Sequence, residues 1–228
     1  MAEYFLPHHV HFCCRGNDFV FLDLRQDDYT LVNGVAAAAL RDLSFAEQAV
    51  QKPESVDALK ELLNGGLLIT DQSNAKRLCS TKTELAMESL IDPEAMPRAR
   101  LGVLQLWRFI AACTAAATRL RWGRLESTVK SVERRKNRHY STKSFDMDRA
   151  RELTAVFQTL RSFFPRDYLC LYDSLALLEF LARHQVFPTW IFGVKLEPWA
   201  AHCWVQEGQC VFNEGVEEAA GYTPIMAI

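Results

Sequence analysis

The first third of the chain combines an alternating pattern with a helical one. Over residues 1–34, apolar and polar positions alternate in short runs that are separated by turn signals at 15–18 and 25–28. Alternation over four to eight residues is typical of half-buried strands. The pattern therefore predicts a three-stranded meander, with strands near 9–14, 19–24 and 29–32.

Helical spacing follows the meander. Asn33 is a suitable cap for a helix over 34–43, a further helical turn is predicted at 46–51, and Pro53 opens a helix that ends at the glycines 65 and 66. In that last helix Val56, Leu59 and Leu63 share one face. With a short strand at 67–69, residues 1–75 are predicted to form a small domain of strands followed by helices.

The rest of the chain reads as a linker and a larger domain. Residues 70–83 are polar, and we assign 76–96 to a helical linker and 97–228 to the second domain. A long helix is predicted over 97–123. Because Gln105, Arg108 and Arg119 interrupt its apolar run, a core helix is favoured over a membrane span. The N-terminus has no basic region followed by a long apolar run, so no secretory signal is predicted.

Composition removes several classes of function. The 228 residues are 49% hydrophobic and 24% charged, with a net charge of −2, which excludes disorder as the main state and gives no global reason to bind nucleic acid or an anionic membrane. The seven cysteines are odd in number and irregularly spaced, which indicates reduced thiols in the cytosol. No CxxC pair and no glycine-rich nucleotide loop occurs, so neither a zinc ribbon nor an intrinsic cofactor is predicted.

Two local clusters have competing interpretations. Residues 119–138 carry eight basic and two acidic side chains. We interpret them as a solvated face, ahead of a docking surface for an acidic protein and of nucleic-acid binding, for which interleaved aromatic residues are missing. His9, His11 and Cys13 would share a strand face and could bind a soft metal. Any strand shows this alternation, so no metal site is predicted.

The candidate chemistry lies in the last 70 residues. Cys170 stands at the start of an amphipathic helix, where the helix dipole favours a thiolate. A strand at 189–196 is followed by His202 and by a hairpin with a turn at 207–208. A two-residue loop would place Asn213 opposite His202, and a three-residue loop would place Glu214 there. Cysteine, histidine and an acid or amide can act as nucleophile, base and orienter, although a cysteine at a helix start is often a small core residue.

The C-terminal part resembles the leader peptidases of lasso-peptide biosynthesis, within the transglutaminase-like cysteine proteases. The resemblance covers about residues 97–228, and it rests on Cys170-Leu171-x-x-Ser174-Leu175-Ala176-Leu177, Phe192-Gly193-Val194, Ala201-His202-x-Trp204-Val205, Gly208 and the 32-residue gap between cysteine and histidine. It implies that Cys170 is the nucleophile and His202 the base. The family carries an aspartate twelve residues after the histidine, where this chain has Glu214. Glu214 is therefore favoured as the third residue, and Asn213 is the alternative.

The N-terminal part resembles the small PqqD-like element that recognises the precursor peptide in such systems. There the leader adds as a strand beside the third strand and packs against the third helix. This implies a leader-binding surface at Tyr29, Thr30, Leu31 and Val32 and at Val56, Leu59 and Leu63. Core packing of these apolar residues is the alternative.

Together these features predict an α+β fold. It comprises a small winged-helix-like N-terminal domain of three strands and three helices, a helical linker, and a papain-like or transglutaminase-like cysteine protease domain. The resemblance implies a bacterial cytoplasmic leader peptidase whose partners are the lasso precursor and an asparagine-synthetase-like cyclase, with ATP used by the cyclase. A transglutaminase-type acyl transferase and a non-catalytic delivery scaffold are the other hypotheses.

Overall fold

The computed structural model describes residues 3–45, 53–91, 99, 101–139 and 145–228. The chain divides into two compact units. The first comprises residues 1–82 with 223–226, and the second comprises 83–222 with 227–228. Each unit is described by itself.

The first unit opens with the predicted meander. Its strands are β1 (Leu6–Pro7), β2 (Val10–Arg15), β3 (Asp18–Asp23) and β4 (Asp28–Val32), and the last three form an antiparallel sheet in the order β2-β3-β4. The alternation of side chains across a strand places Phe12, Phe19 and Phe21 on the inner face, where the centroid of the Phe12 ring lies 5.6 and 5.7 Å from those of Phe19 and Phe21. The three predicted strands are therefore confirmed, and β4 is an outer strand of the sheet.

Two helices cover this sheet. They are α1 (Gly34–Phe45) and α2 (Pro53–Asn64), as the spacing predicts. Leu40, Leu59 and Leu62 from these helices enter the same hydrophobic core as the phenylalanines. The predicted turn at 46–51 lies outside the described residues, and the winged-helix-like arrangement with a third helix stays a prediction.

The segment after α2 differs from the prediction in two ways. The strand expected at 67–69 is reduced to a single bridge between Phe5 and Ile69. The helical linker expected at 76–96 is wrong over its described part, since residues 76–91 contain no helix but two short strands, β5 (Ala75–Lys76) and β6 (Glu88–Ser89). The physical reason is backbone pairing: β5 pairs with β1, and the segment around β6 bonds to the carbonyls of Gln209 and Val211.

Four helices dominate the second unit. They are α3 (Val103–Trp122), α4 (Leu125–His139), α5 (Met147–Ser162) and α6 (Cys170–Ala182). Helix α3 begins at Val103, after Gly102, so residues 101 and 102 of the predicted helix lie outside it, while the predicted start at Pro97 lies outside the described residues. It is also not a core helix on all sides, because its buried residues form one stripe while Val103 and Trp107 are mostly exposed. None of the described helices is long and apolar enough to cross a bilayer.

Helix α6 packs against the main sheet of this unit. The strands are β7 (Thr189–Leu196), β8 (Trp199–Glu207) and β9 (Cys210–Val211), and after α7 (Val216–Ala220) the chain ends with β10 (Thr223–Ala227). Within this unit the order of the strands is β7-β8-β9-β6. The residues of α6 from Tyr172 to Ala182 are all buried. A helix buried on every side fixes its own start, and with it Cys170, against the sheet.

The basic stretch 119–138 spans the end of α3 and most of α4, and part of it faces inward. Arg119 and Arg135 lie 3.6 and 3.0 Å from the carboxylate of Glu179, which is buried in α6. Arg183 makes a third contact with the same carboxylate, at 3.0 Å. A buried carboxylate needs such partners. The interpretation as a solvated face therefore fails for Arg119 and Arg135, whereas Arg121, Arg124, Arg134 and Arg138 are exposed.

Candidate active site

The start of α6 is held in place by a buried ion pair. Asp173, on the first turn of the helix, accepts a hydrogen bond of 2.7 Å from the backbone N–H of Leu169 and pairs with Arg161 of α5. A side chain that reaches back to the residue before the helix satisfies a backbone donor that the helix leaves open. Cys170 follows as the first residue of the helix and is half-buried.

His202 lies on β8, opposite Gly193 of β7. Its ring is flanked by those of Tyr222 and Trp204, with centroids 4.9 and 6.1 Å away. Gly193 permits this arrangement, because a Cβ at this position would come within 2.8 Å of the Trp204 ring and 2.9 Å of Tyr222. The rings restrict the imidazole to a narrow range of orientations.

Glu214 reaches His202 in a way that neither predicted hairpin register anticipates. The turn lies at Gly208 and Gln209, with Gly208 at φ +55°, and Gln206 pairs with Val211. The predicted turn at 207–208 and both predicted pairings of His202 are therefore wrong. Strand β9 ends after two residues, and the chain then turns so that Glu214 Oε1 lies 3.1 Å from His202 Nε2. The pair is within ion-pair distance, but off the direction of a well-aligned hydrogen bond.

Asn213, the alternative third residue, is used in a different way. Its Oδ1 accepts a hydrogen bond of 2.8 Å from the backbone N–H of Val205, and its Nδ2 lies 3.4 Å from the hydroxyl of Tyr168. Its carbonyl is thus committed to the backbone of β8. The structure brings Glu214, and not Asn213, to the imidazole.

Hydrogen bonds and charge favour an ionised Cys170–His202 pair. The side chain of Cys203, and after it that of His202, hold the pKa of the Cys170 thiol well below its usual range, against the opposing effect of burial. Burial alone would lower the pKa of His202, but its contact with Cys170 and the nearby charge of Glu214 prevail and raise that pKa to about 9. Because Nε2 faces Glu214, Nδ1 is the ring nitrogen available to Cys170. The arrangement favours a thiolate beside an imidazolium at neutral pH.

Sequence reasoning missed three residues around this pair. Tyr168 donates a hydrogen bond to Glu214, Cys203 contacts Cys170, and Arg161 pairs with Asp173. An acid on the first turn of the helix could have indicated the cap. The contacts of Tyr168 and Cys203 depend on tertiary packing, so no local pattern indicates them.

The residues expected to bind a leader peptide all lie in the first unit. Tyr29, Thr30, Leu31 and Val32 form most of the outer strand β4, with Leu31 49% exposed and Val32 buried. On α2, Val56 and Leu63 are half-buried, whereas Leu59 is fully buried in the core. Burial favours the core alternative for Leu59, and it leaves the edge of β4 as the accessible part of the expected surface.

The histidines considered for metal binding have other partners. His11 Nδ1 lies 3.2 Å from Lys76 Nζ, and His9 Nε2 lies 3.9 Å from a carboxylate oxygen of Asp23. Within the described ranges, no group of three or more His, Cys, Asp or Glu side chains could hold a metal ion.

A cysteine at the start of a buried helix, beside a histidine on the adjoining sheet, is the arrangement of enzymes that transfer acyl groups through a thiol. The family model of the transglutaminase-like superfamily matches residues 102–227, more than half of the chain. The chain belongs to this superfamily, which is compatible with cysteine-protease or acyltransferase chemistry. Comparison with curated proteins and with solved structures gives no match.

Proposed function

We propose that the protein is a cysteine peptidase that removes the leader from a lasso-peptide precursor, with Cys170 as nucleophile, His202 as base and Glu214 as orienter. The observation that carries the proposal is the 3.1 Å approach of Glu214 to His202 beside a Cys170 whose pKa is lowered. The resemblance of residues 97–228 to lasso leader peptidases gives the substrate class.

In the first half of the reaction, the Cys170 thiolate attacks the scissile carbonyl carbon. The carbonyl oxygen becomes an oxyanion, and the backbone N–H of Cys170 is available to it, because the first N–H groups of a helix have no acceptor within the helix. The imidazolium of His202 gives its proton to the leaving nitrogen as the C–N bond breaks. The products are a thioester on Cys170 and the core peptide with a free amino terminus.

In the second half, water attacks the thioester. Neutral His202 takes one proton from the water, the C–S bond breaks, and the leader leaves as a carboxylic acid that releases its proton to solvent, which restores the Cys170 thiolate and the His202 imidazolium. Glu214 stabilises the imidazolium in both halves by its negative charge. With an amine in place of water, the same thioester would give acyl transfer, so the identity of the acceptor separates the peptidase from a transglutaminase-type enzyme.

The first unit supplies precursor recognition in this proposal. The leader adds as a strand along β4, where backbone hydrogen bonds give affinity and contacts with alternate side chains give selectivity. The freed core peptide then passes to an asparagine-synthetase-like, ATP-dependent cyclase in the bacterial cytoplasm. These partners follow from the resemblance.

Mass spectrometry of the precursor tests the proposal. Wild-type protein, Cys170→Ala and the matched buried-thiol variant Cys210→Ala are each incubated with precursor, with and without the cyclase. We expect two peptides whose masses sum to precursor plus water from wild type and Cys210→Ala, and intact but bound precursor with Cys170→Ala.

Three results would contradict the peptidase. Substantial cleavage by Cys170→Ala would exclude this nucleophile. A precursor joined to an added amine would identify an acyl transferase. An intact precursor that still binds the wild type under every condition would indicate a delivery scaffold.

A further inference from the structure

Tyr168 lies two residues before Cys170 and contacts the acid of the site. Its hydroxyl donates a hydrogen bond to Glu214 Oε1, which is the oxygen that lies 3.1 Å from His202 Nε2. We infer that Tyr168 is a positioning residue, which holds the Glu214 carboxylate against His202. This inference rests on the proposed function, since it deepens the role of the same site.

The backbone at Glu214 explains why the carboxylate needs a second anchor. Strand β9 ends at Val211, so no ladder of strand hydrogen bonds extends to Glu214. The carbonyl of Glu214 accepts a bond of 2.6 Å from Ser89 Oγ, which fixes the backbone but not the three side-chain torsions of glutamate. A donor at Oε1 restricts that remaining freedom at the oxygen that faces His202.

The hydroxyl of Tyr168 is a reliable donor. Tyr168 as a whole is 52% exposed, but the partial burial of its hydroxyl and the bond to Glu214 raise its pKa far above the usual range, so the phenol stays protonated. Asn213 Nδ2 lies 3.4 Å from the same hydroxyl, and Asn213 is bonded to the backbone of Val205 on β8. Through Asn213, the position of the Tyr168 hydroxyl is therefore linked to β8, the strand that carries His202.

The segment that carries Tyr168 is also fixed. The guanidinium of Arg161 donates to the carbonyl oxygens of Arg166 and Asp167, at 3.0 and 3.1 Å, while it pairs with Asp173 at the start of α6. One buried ion pair thus holds both the tyrosine segment and the helix of the nucleophile. The position of the Tyr168 phenol is therefore set by contacts of its own segment with α5 and α6.

Removal of the hydroxyl should therefore act on the ionised pair. In Tyr168→Phe the carboxylate is free to turn away from His202, and an imidazolium without its partner supports the thiolate less well. The matched control is Tyr172→Phe, which removes another hydroxyl from the same region, one that lies 3.3 Å from the carbonyl of Cys113.

The experiment is alkylation of the full-length protein by iodoacetamide over a range of pH, with modification of Cys170 followed by peptide mass spectrometry. We expect Tyr168→Phe to move the acid limb of the profile to higher pH by about one unit, which slows alkylation about tenfold below the wild-type midpoint, as for loss of a hydrogen bond to a charged group. Tyr172→Phe should keep the wild-type profile.

A double-mutant cycle separates positioning from a general structural effect. If Tyr168 acts through Glu214, then Tyr168→Phe has no further effect in a Glu214→Gln background. A wild-type profile in Tyr168→Phe, or losses that multiply with those of Glu214→Gln, would overturn the inference and leave the proposed function standing. A wild-type Cys170 that reacts no faster than free cysteine would overturn the proposed function and this inference with it.

Discussion

At the scale of single residues, Cys203 is the neighbour that most affects the nucleophile. Ser174 Oγ lies 2.6 Å from the carbonyl of Cys170 and 3.3 Å from Cys203 Sγ, and it accepts a bond of 2.9 Å from Trp190 Nε1. The S–H of Cys203 can bond either to Ser174 Oγ or to the Cys170 thiolate, and the lowered pKa of Cys170, for which the Cys203 side chain is the largest cause, favours the bond to the thiolate. Burial raises the pKa of Cys203 well above its usual range, so it stays a thiol and remains a donor.

This assigns a measurable role to a cysteine outside the triad. Cys203→Ala removes the donor, and we expect the pH midpoint of Cys170 alkylation to rise by about one unit, the size of one hydrogen bond to a charged group. Cys203→Ser keeps a donor and should stay near the wild type. The control is Cys210→Ala, another buried thiol. Equal profiles for the alanine and serine variants would show that packing, and not the S–H group, is responsible.

At the scale of elements, the regular strands and helices could be predicted from the sequence, but the approach of Glu214 to His202 could not. Alternation predicted β2, β3 and β7, and helical spacing predicted α2 and α6. Each of these elements shows its periodicity within its own segment of the sequence. Glu214 reaches His202 only because the chain leaves the hairpin before Glu214, and it does so because β9 ends at Val211. Its end is set by tertiary contacts such as that of Ser89 with Glu214, which have no local signal.

The outer strand β4 leads to a prediction on the same scale. Leu31 is an apolar side chain on the edge, 49% exposed, and Leu31→Asp should weaken binding of a labelled leader peptide by about tenfold, since a buried carboxylate would have no partner in the complex. Val35→Asp is the control, because Val35 is 50% exposed on α1, outside the expected edge. Fluorescence anisotropy gives both affinities. Equal affinities for the two variants would exclude β4 as the docking edge.

At the scale of the whole molecule, each unit contains a histidine through which acid should destabilise the fold. In the first unit, burial and then Lys76 lower the pKa of His11 to about 3. In the second, burial and then Arg108 lower the pKa of His184 to about 4. An unfolded histidine binds its proton near pH 6.5. As pH falls below that value, the unfolded chain gains protons that the folded units do not, so the free energy of unfolding decreases until the folded pKa is reached.

The two contributions can be measured separately, because all five tryptophans lie between residues 107 and 204, in the second unit. Urea unfolding between pH 7 and 5 is followed by tryptophan fluorescence, which reports that unit, and by circular dichroism, which reports both. We expect His11→Gln to recover about 1–2 kcal/mol at pH 5 in the dichroism transition alone, and His184→Gln to relieve the acid dependence of the fluorescence transition. If His11→Gln also moves the fluorescence transition, the two units unfold together in one cooperative transition. In that case a substitution in the first unit would also change the stability of the second, and precursor binding and cleavage would have to be measured in the same variants.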